Sequence, residues 1–254
     1  MRPRTSVAAV FAVLLGLVVL GAAGAASKAQ ITVYAAASLT DVFPKIDSTE
    51  KYSFGGSNTL AAQIQQGAPA DVFASANLTL PKQLNAKGLC STPVVFTRNT
   101  LVIVLPKSNP AGIHSIYDLT KPGVKLDVAG AGVPVGSYTL QILKNMNLSS
   151  AVLKNVVSQE TDVREVLAKV ALGEADAGFV YSTDAKTVPG KVVTLKVPAW
   201  AQPKVQYGIC VVSRSGEKTD AQAFVNKVLA KAGQAKMLAA GFLPRVKPAP
   251  PKKK

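Results

Sequence analysis

The sequence holds one histidine (His114), one tryptophan (Trp200) and two cysteines (Cys90 and Cys210). With no C-x-x-C pair, too few ligands remain for a zinc site. A serine nucleophile would have to take His114 as its base. That residue lies in the turn-like stretch NPAGIHSIYDL, and no G-x-S-x-G elbow is present. Asp162 and Glu165 form an i, i+3 acidic pair that fits a helix amino terminus better than acid–base chemistry. Aromatic residues are only 6% of the chain and do not interleave with a basic stripe, which argues against nucleic acid as a partner. After the first twenty residues, no apolar run is long enough to span a bilayer.

What is present begins with a leader. Arg2 and Arg4 precede an apolar run over residues 7–20, and GAAGAAS follows. This is the pattern of a secretory signal peptide over residues 1–25, with Ala23 and Ala25 forming the A-x-A cleavage site. An uncleaved anchor is the other reading. The chain is expected to be exported, to the periplasm or the outer face of the cytoplasmic membrane. In that oxidising setting Cys90 and Cys210 are either a disulfide or two buried thiols.

The net charge of +15 overstates the basicity of the folded body. Removing the leader arginines brings it to +13, and the four lysines of the tail, residues 246–254, account for four more, leaving +9. The proline- and lysine-rich tail reads as a solvated extension. Hydrophobic residues make up 48%, enough for a real core.

Strand-like and helix-like runs alternate through the body. ITVYAA, ADVFASA, TLVIVLPK, AGFVYS and VQYGICVVSR read as strands. LAAQIQQG, LTLPKQLNAKG, SYTLQILKNMN and DVREVLAKVALG read as helices, three of the four stopped by glycine. Such alternation indicates an α/β fold with mostly parallel sheets, whose ligands bind beyond the carboxyl ends of the strands.

Several of those strand ends lead into helices through unusually small residues. Ser38 follows three alanines, Ser57 lies in GGSNTL, Val135 and Gly136 lie in AGAGVPVGSY, and Val163 opens a helix in ETDVREV. Helix amino termini present unpaired N–H groups and a positive dipole end, and they bind anions without a cationic side chain. Each residue also has a plainer reading: Ser38 or Ser57 as an N-cap, Val163 as core, Asp162 as an N-cap, and Tyr181 as a half-buried strand-end tyrosine.

Taken together, ITVYAAASLTDVF, GGSNTLAAQIQQGAPADVFASAN and TDVREVLAKVALGEADAGFVYSTDA resemble the substrate-binding proteins of molybdate ABC transporters. The likeness runs from about Ile31 to Phe242. It implies an α/β, two-lobed type II periplasmic-binding-protein fold, with a ligand cleft between lobes. On that basis residues 26–106 and 204–245 form lobe one, and residues 107–203 form lobe two. It also implies that Ser38, Ser57, Val135, Val163 and Tyr181 bind the oxyanion, with Gly136 as the alternative to Val135. Molybdenum would be held only as the oxyanion, through these same residues.

The implied activity is capture of molybdate, with tungstate beside it, and delivery to the membrane permease of an ABC importer. The chain would act as a monomer, without a cofactor or enzymatic activity. The same scaffold could instead serve sulfate, phosphate or a small organic anion. One departure from the family is expected to show in the fold: IDSTEKYSFGGS leaves little room for a full first helix and a complete second strand. Another is Asn58, where the family favours a small residue.

Overall fold

The computed structural model describes residues 29–245. The signal segment and the basic tail lie outside the described residues.

Ten strands are described: β1 (Thr32–Ala36), β2 (Lys51–Gly55), β3 (Val72–Ser75), β4 (Val94–Asn99), β5 (Leu101–Pro106), β6 (Leu126–Ala129), β7 (Val156–Glu160), β8 (Ala177–Tyr181), β9 (Val192–Lys196) and β10 (Val205–Val211). They form two five-stranded sheets, ordered β2-β1-β3-β10-β4 and β7-β6-β8-β5-β9. In the first, β1 runs parallel to β2 and β3, and β10 lies antiparallel between β3 and β4. The second repeats the plan, with β6 parallel to β7 and β8, and β5 antiparallel between β8 and β9. The inserted strand of each sheet is the one that has just crossed from the other lobe.

This places the first crossing at Thr100. The resemblance puts residues 101–106 in lobe one, whereas β5 is hydrogen-bonded inside the second sheet. The physical reason is burial on both faces: Leu101, Ile103, Val104 and Leu105 are all buried, as a strand flanked by two others requires. The second crossing lies in residues 197–204, between β9 and β10.

The helices are α1 (Phe43–Ile46), α2 (Ser57–Gln65), α3 (Thr79–Ala86), α4 (Pro134–Asn145), α5 (Ser149–Val152), α6 (Val163–Leu172), α7 (Ser182–Ala185), α8 (Lys218–Leu229) and α9 (Lys231–Ala239). The short segment before Ser57 shortens the helix and spares the strand. α1 is a single turn with Pro44 near its start, while β2 is complete and pairs with β1 along its whole length. The brevity of α1 is offset by aromatic packing. The Phe43 ring lies 5.8 Å from Phe96 and 5.7 Å from Phe224, in tilted and edge-on geometries that contribute beyond area burial.

α6 shows how local sequence sets a boundary. Asp162 accepts from the N–H groups of Arg164 (2.7 Å) and Glu165 (3.3 Å), and Glu165 reaches back to the N–H of Asp162. Such a cap contributes about 1 kcal/mol. Val163, Val166, Leu167 and Val170 form the buried stripe, and Gly173 ends the helix at a left-handed φ of 78°. Cys90 and Cys210 are both buried as free thiols on the far side of the first sheet.

Candidate functional site

The carboxyl ends of β1, β3 and β8 and the amino termini of α2, α4 and α6 converge on one small cavity between the lobes. It is a small space of about 200 Å³, part of it open to solvent. Ser38, Ser57, Val135, Val163 and Tyr181 all stand on its wall. Ala36, Ala37, Gly55, Gly56 and Ala76 complete the first-lobe side, so the backbone there is bare of bulky side chains. No lysine, arginine or histidine lines the cavity.

Each of the five residues presents a neutral group. Ser38 lies in a 3-10 turn, Ala37–Leu39, immediately after β1. It is buried and makes no capping bond; its Oγ lies 2.9 Å from the Tyr207 hydroxyl. Ser57 is the first residue of α2, whose N-cap is Gly56, so Ser57 is not the cap either. Its Oγ accepts from the N–H of Ala76 at 3.1 Å, which leaves the hydroxyl proton to be donated elsewhere.

Val135 is the second residue of α4, after Pro134, within the turn whose N–H groups have no intrahelical partner. Gly136 turns away from the cavity: a Cβ there would meet the carbonyl oxygens of Gly130 and Ala129 at 2.2 and 2.3 Å. The glycine is needed because α4 starts directly against the β6–α4 loop. Val163 is the first residue of α6. The Asp162 cap occupies the next two N–H groups and leaves that of Val163 outside its reach.

Tyr181 ends β8. Its ring packs edge-on against Tyr207 at 5.5 Å, and its buried hydroxyl makes no hydrogen bond. Burial, with Tyr207 and Tyr138 beside it, raises its pKa well above the ordinary phenol value, so the proton is retained for donation. Asp162 is the only carboxylate on the wall. Burial raises its pKa, and one of its oxygens is occupied by the helix cap.

Residues singled out for other roles fall elsewhere. His114 is exposed on a surface turn, where its N–H donates to Asp118. Trp200 is 65% exposed in the second crossing and does not reach the wall. Sequence reasoning misses three residues around the cavity. Tyr207 supports Ser38 from β10 and reads as one more apolar position in VQYGICVV. Arg164 joins the lobes through Asp41 at 2.5 Å. Asn58, singled out only as a departure, faces the second lobe: a Cβ at Gly132 would lie 3.8 Å from its Nδ2.

The lobes meet closely at Gly56, where a Cβ would come within 2.2 Å of the Thr161 carbonyl oxygen of the opposite lobe. Two α/β lobes, joined by two crossings and closed over a small cavity at their strand ends, define a two-lobed solute-binding protein. The family model of the bacterial extracellular solute-binding proteins matches residues 31–243, and the chain belongs to that family.

Relatives agree. The chain is 39% identical over 223 residues to the molybdate-binding protein ModA of Mycobacterium tuberculosis, covering 84% of each protein. Among solved structures, the periplasmic molybdate-binding protein of Azotobacter vinelandii superposes with a TM-score of 0.74 at 22% identity, over 85% of this chain and all of that one. The sulfate-binding protein SubI of Mycobacterium tuberculosis gives 0.73 at 19%, over 85% and 87%. These two likenesses show the shared two-lobed fold. Among the described residues no helix is long and apolar enough to cross a membrane.

Proposed function

We propose that this protein captures molybdate, and tungstate with it, on the outer side of the cytoplasmic membrane and delivers it to the permease of an ABC importer. The observation that carries this reading is the convergence of five neutral donors on one cavity without a cation: the hydroxyls of Ser38, Ser57 and Tyr181 and the N–H groups of Val135 and Val163. The 39%-identical molybdate-binding relative supports the choice of ion.

A fully ionised tetrahedral dianion asks only for donors. Hydroxyl and N–H dipoles in a water-poor cavity hold it more strongly than they could in bulk water. Phosphate at neutral pH carries a proton and asks for an acceptor, and the one carboxylate on the wall already caps α6. Separation from sulfate rests on size, since a ring of donors fixed by two lobes fits one ionic radius best. The protein acts as a monomer and works by binding rather than by catalysis. The Ser38 hydroxyl is paired with a tyrosine and has no base to activate it.

Closure follows from the placement of donors on both lobes. Ser38 and Ser57 belong to the first, and Val135, Val163 and Tyr181 to the second, so the full set forms only when the hinge shuts. Calorimetric titration of the mature chain with molybdate, tungstate, sulfate and phosphate tests the reading. One-to-one binding of the first two, with sulfate far weaker and phosphate silent, is expected. Preferential binding of sulfate would assign the protein to the other oxyanion, and equal affinity after Ser38→Ala with Ser57→Ala would remove the site.

A further inference from the structure

We infer that Tyr207 is a positioning residue for the oxyanion site: its hydroxyl donates to Ser38 Oγ and thereby turns the Ser38 proton into the cavity. The inference rests on the proposed oxyanion reading and adds a residue that lies outside the cavity wall.

A serine hydroxyl has one proton and can accept as well as donate. If Ser38 gave its proton to Tyr207, it would offer the cavity only lone pairs, which repel an anion. The direction of the 2.9 Å bond between Ser38 Oγ and the Tyr207 hydroxyl therefore decides whether Ser38 helps or hinders.

The bound anion fixes that direction. It takes the Ser38 proton in a hydrogen bond, and the lone pairs of Ser38 Oγ are then free to accept from Tyr207, whose hydroxyl is buried and keeps its own proton. The Tyr207 ring is held on three sides, edge-on to Phe96 (6.0 Å), Tyr181 (5.5 Å) and Phe242 (5.6 Å), so the hydroxyl cannot swing away. Burial keeps the phenol protonated, which the relay requires.

The test is a double-mutant cycle read by molybdate titration. Tyr207→Phe keeps the ring and removes only the hydroxyl. It is expected to weaken binding about tenfold, the scale of one well-placed hydrogen bond. In a Ser38→Ala background the same change is expected to cost nothing further, a result that loosened packing would not produce. Thermal unfolding of each ligand-free variant reports folding separately. Wild-type affinity in Tyr207→Phe, or costs that multiply in the double variant, would overturn the relay. If wild type ignores molybdate but binds another of the four oxyanions, the functional reading fails and the cycle is run with that ion. Silence toward all four overturns both.

Discussion

Arg164 of the second lobe reaches Asp41 of the first across the mouth of the cleft, at 2.5 Å, while its Nε holds the fully buried Asp184 at 2.7 Å. One guanidinium thus serves two carboxylates with different duties. Asp184 is an internal anchor: burial raises its pKa to about 6, and Arg164 limits the rise. Asp41 is half exposed and can pair only while the lobes are shut. Arg164, one residue beyond the donor Val163, is therefore engaged by protein carboxylates.

The two partners should respond differently to removal. Asp41→Asn loses a partly solvated pair worth about 0.5–1 kcal/mol, so ligand release should speed up roughly two- to fivefold with unfolding unchanged. Arg164→Ala leaves Asp184 buried without its cation and should destabilise the second lobe by about 3–5 kcal/mol. Stopped-flow release rates and denaturant melts separate the two effects. The Asp41→Asn effect should fade in high salt, because the wild-type pair is then screened.

Gly56 sets how far the lobes can close. A Cβ there meets the Thr161 carbonyl oxygen at 2.2 Å, and backbone on the opposite lobe cannot yield as a flexible side chain would. Gly56→Ala should hold the cleft ajar at about 1–3 kcal/mol, weakening oxyanion binding about 5- to 150-fold. Each lobe should keep its own stability. Solution scattering with saturating ligand should show a larger radius than wild type. A variant that compacts and binds normally would mean that the Thr161 loop moves aside.

The parts of this site that are legible in the sequence share a local signature. Ser57, Val135 and Val163 announce themselves because a glycine, a proline or an acidic cap marks a helix start within a residue or two, and that punctuation is set by backbone sterics alone. The crossing at Thr100 leaves no such mark, since β4 and β5 are separated by one residue and no glycine or proline stands between them. Tyr207 and Asp41 are silent for a different reason. Their roles exist only across sequence separations of 169 and 123 residues, to Ser38 and Arg164, and nothing in their own neighbourhoods predicts those partners.

The two cysteines offer a check on the first lobe. Cys90 and Cys210 are buried in one apolar cluster with Leu60, Ile64 and Phe73. Their contact pushes the Cys210 thiol upward, with burial adding to the rise, and holds Cys90 down, so it is burial that keeps both sulfurs from reagents. Native reduced protein should therefore resist alkylation at pH 8, and both thiols should label once the chain is denatured. Mass spectrometry counts the adducts, and rapid labelling of the native fold would mean that this cluster opens.

Asp127 gives the stability of the second lobe an unusual slope with pH. It is wholly buried on β6, where burial raises its pKa to about 7 and Glu160 adds to the rise, while Lys169 opposes it. A carboxyl raised in the folded state binds a proton there that the unfolded chain has already released, between roughly pH 4 and pH 7. Folding is then favoured at the acid end of that window, and stability falls as pH rises through it. Asp47 works in the opposite sense below it. Burial would raise this carboxyl, but Lys227 at 2.5 Å and Thr49 hold it well below the usual range, so its contribution is lost as pH falls under about 4. Asp127→Asn should flatten the upper slope to the smaller part that Asp184 contributes, and leave the lower one. At pH 8 the variant should be more stable than wild type by about 1–4 kcal/mol, and near pH 4 the two should converge. Denaturant midpoints measured from pH 4 to pH 8 decide it: parallel curves for the two proteins would mean that Asp127 finds a compensating partner when it ionises.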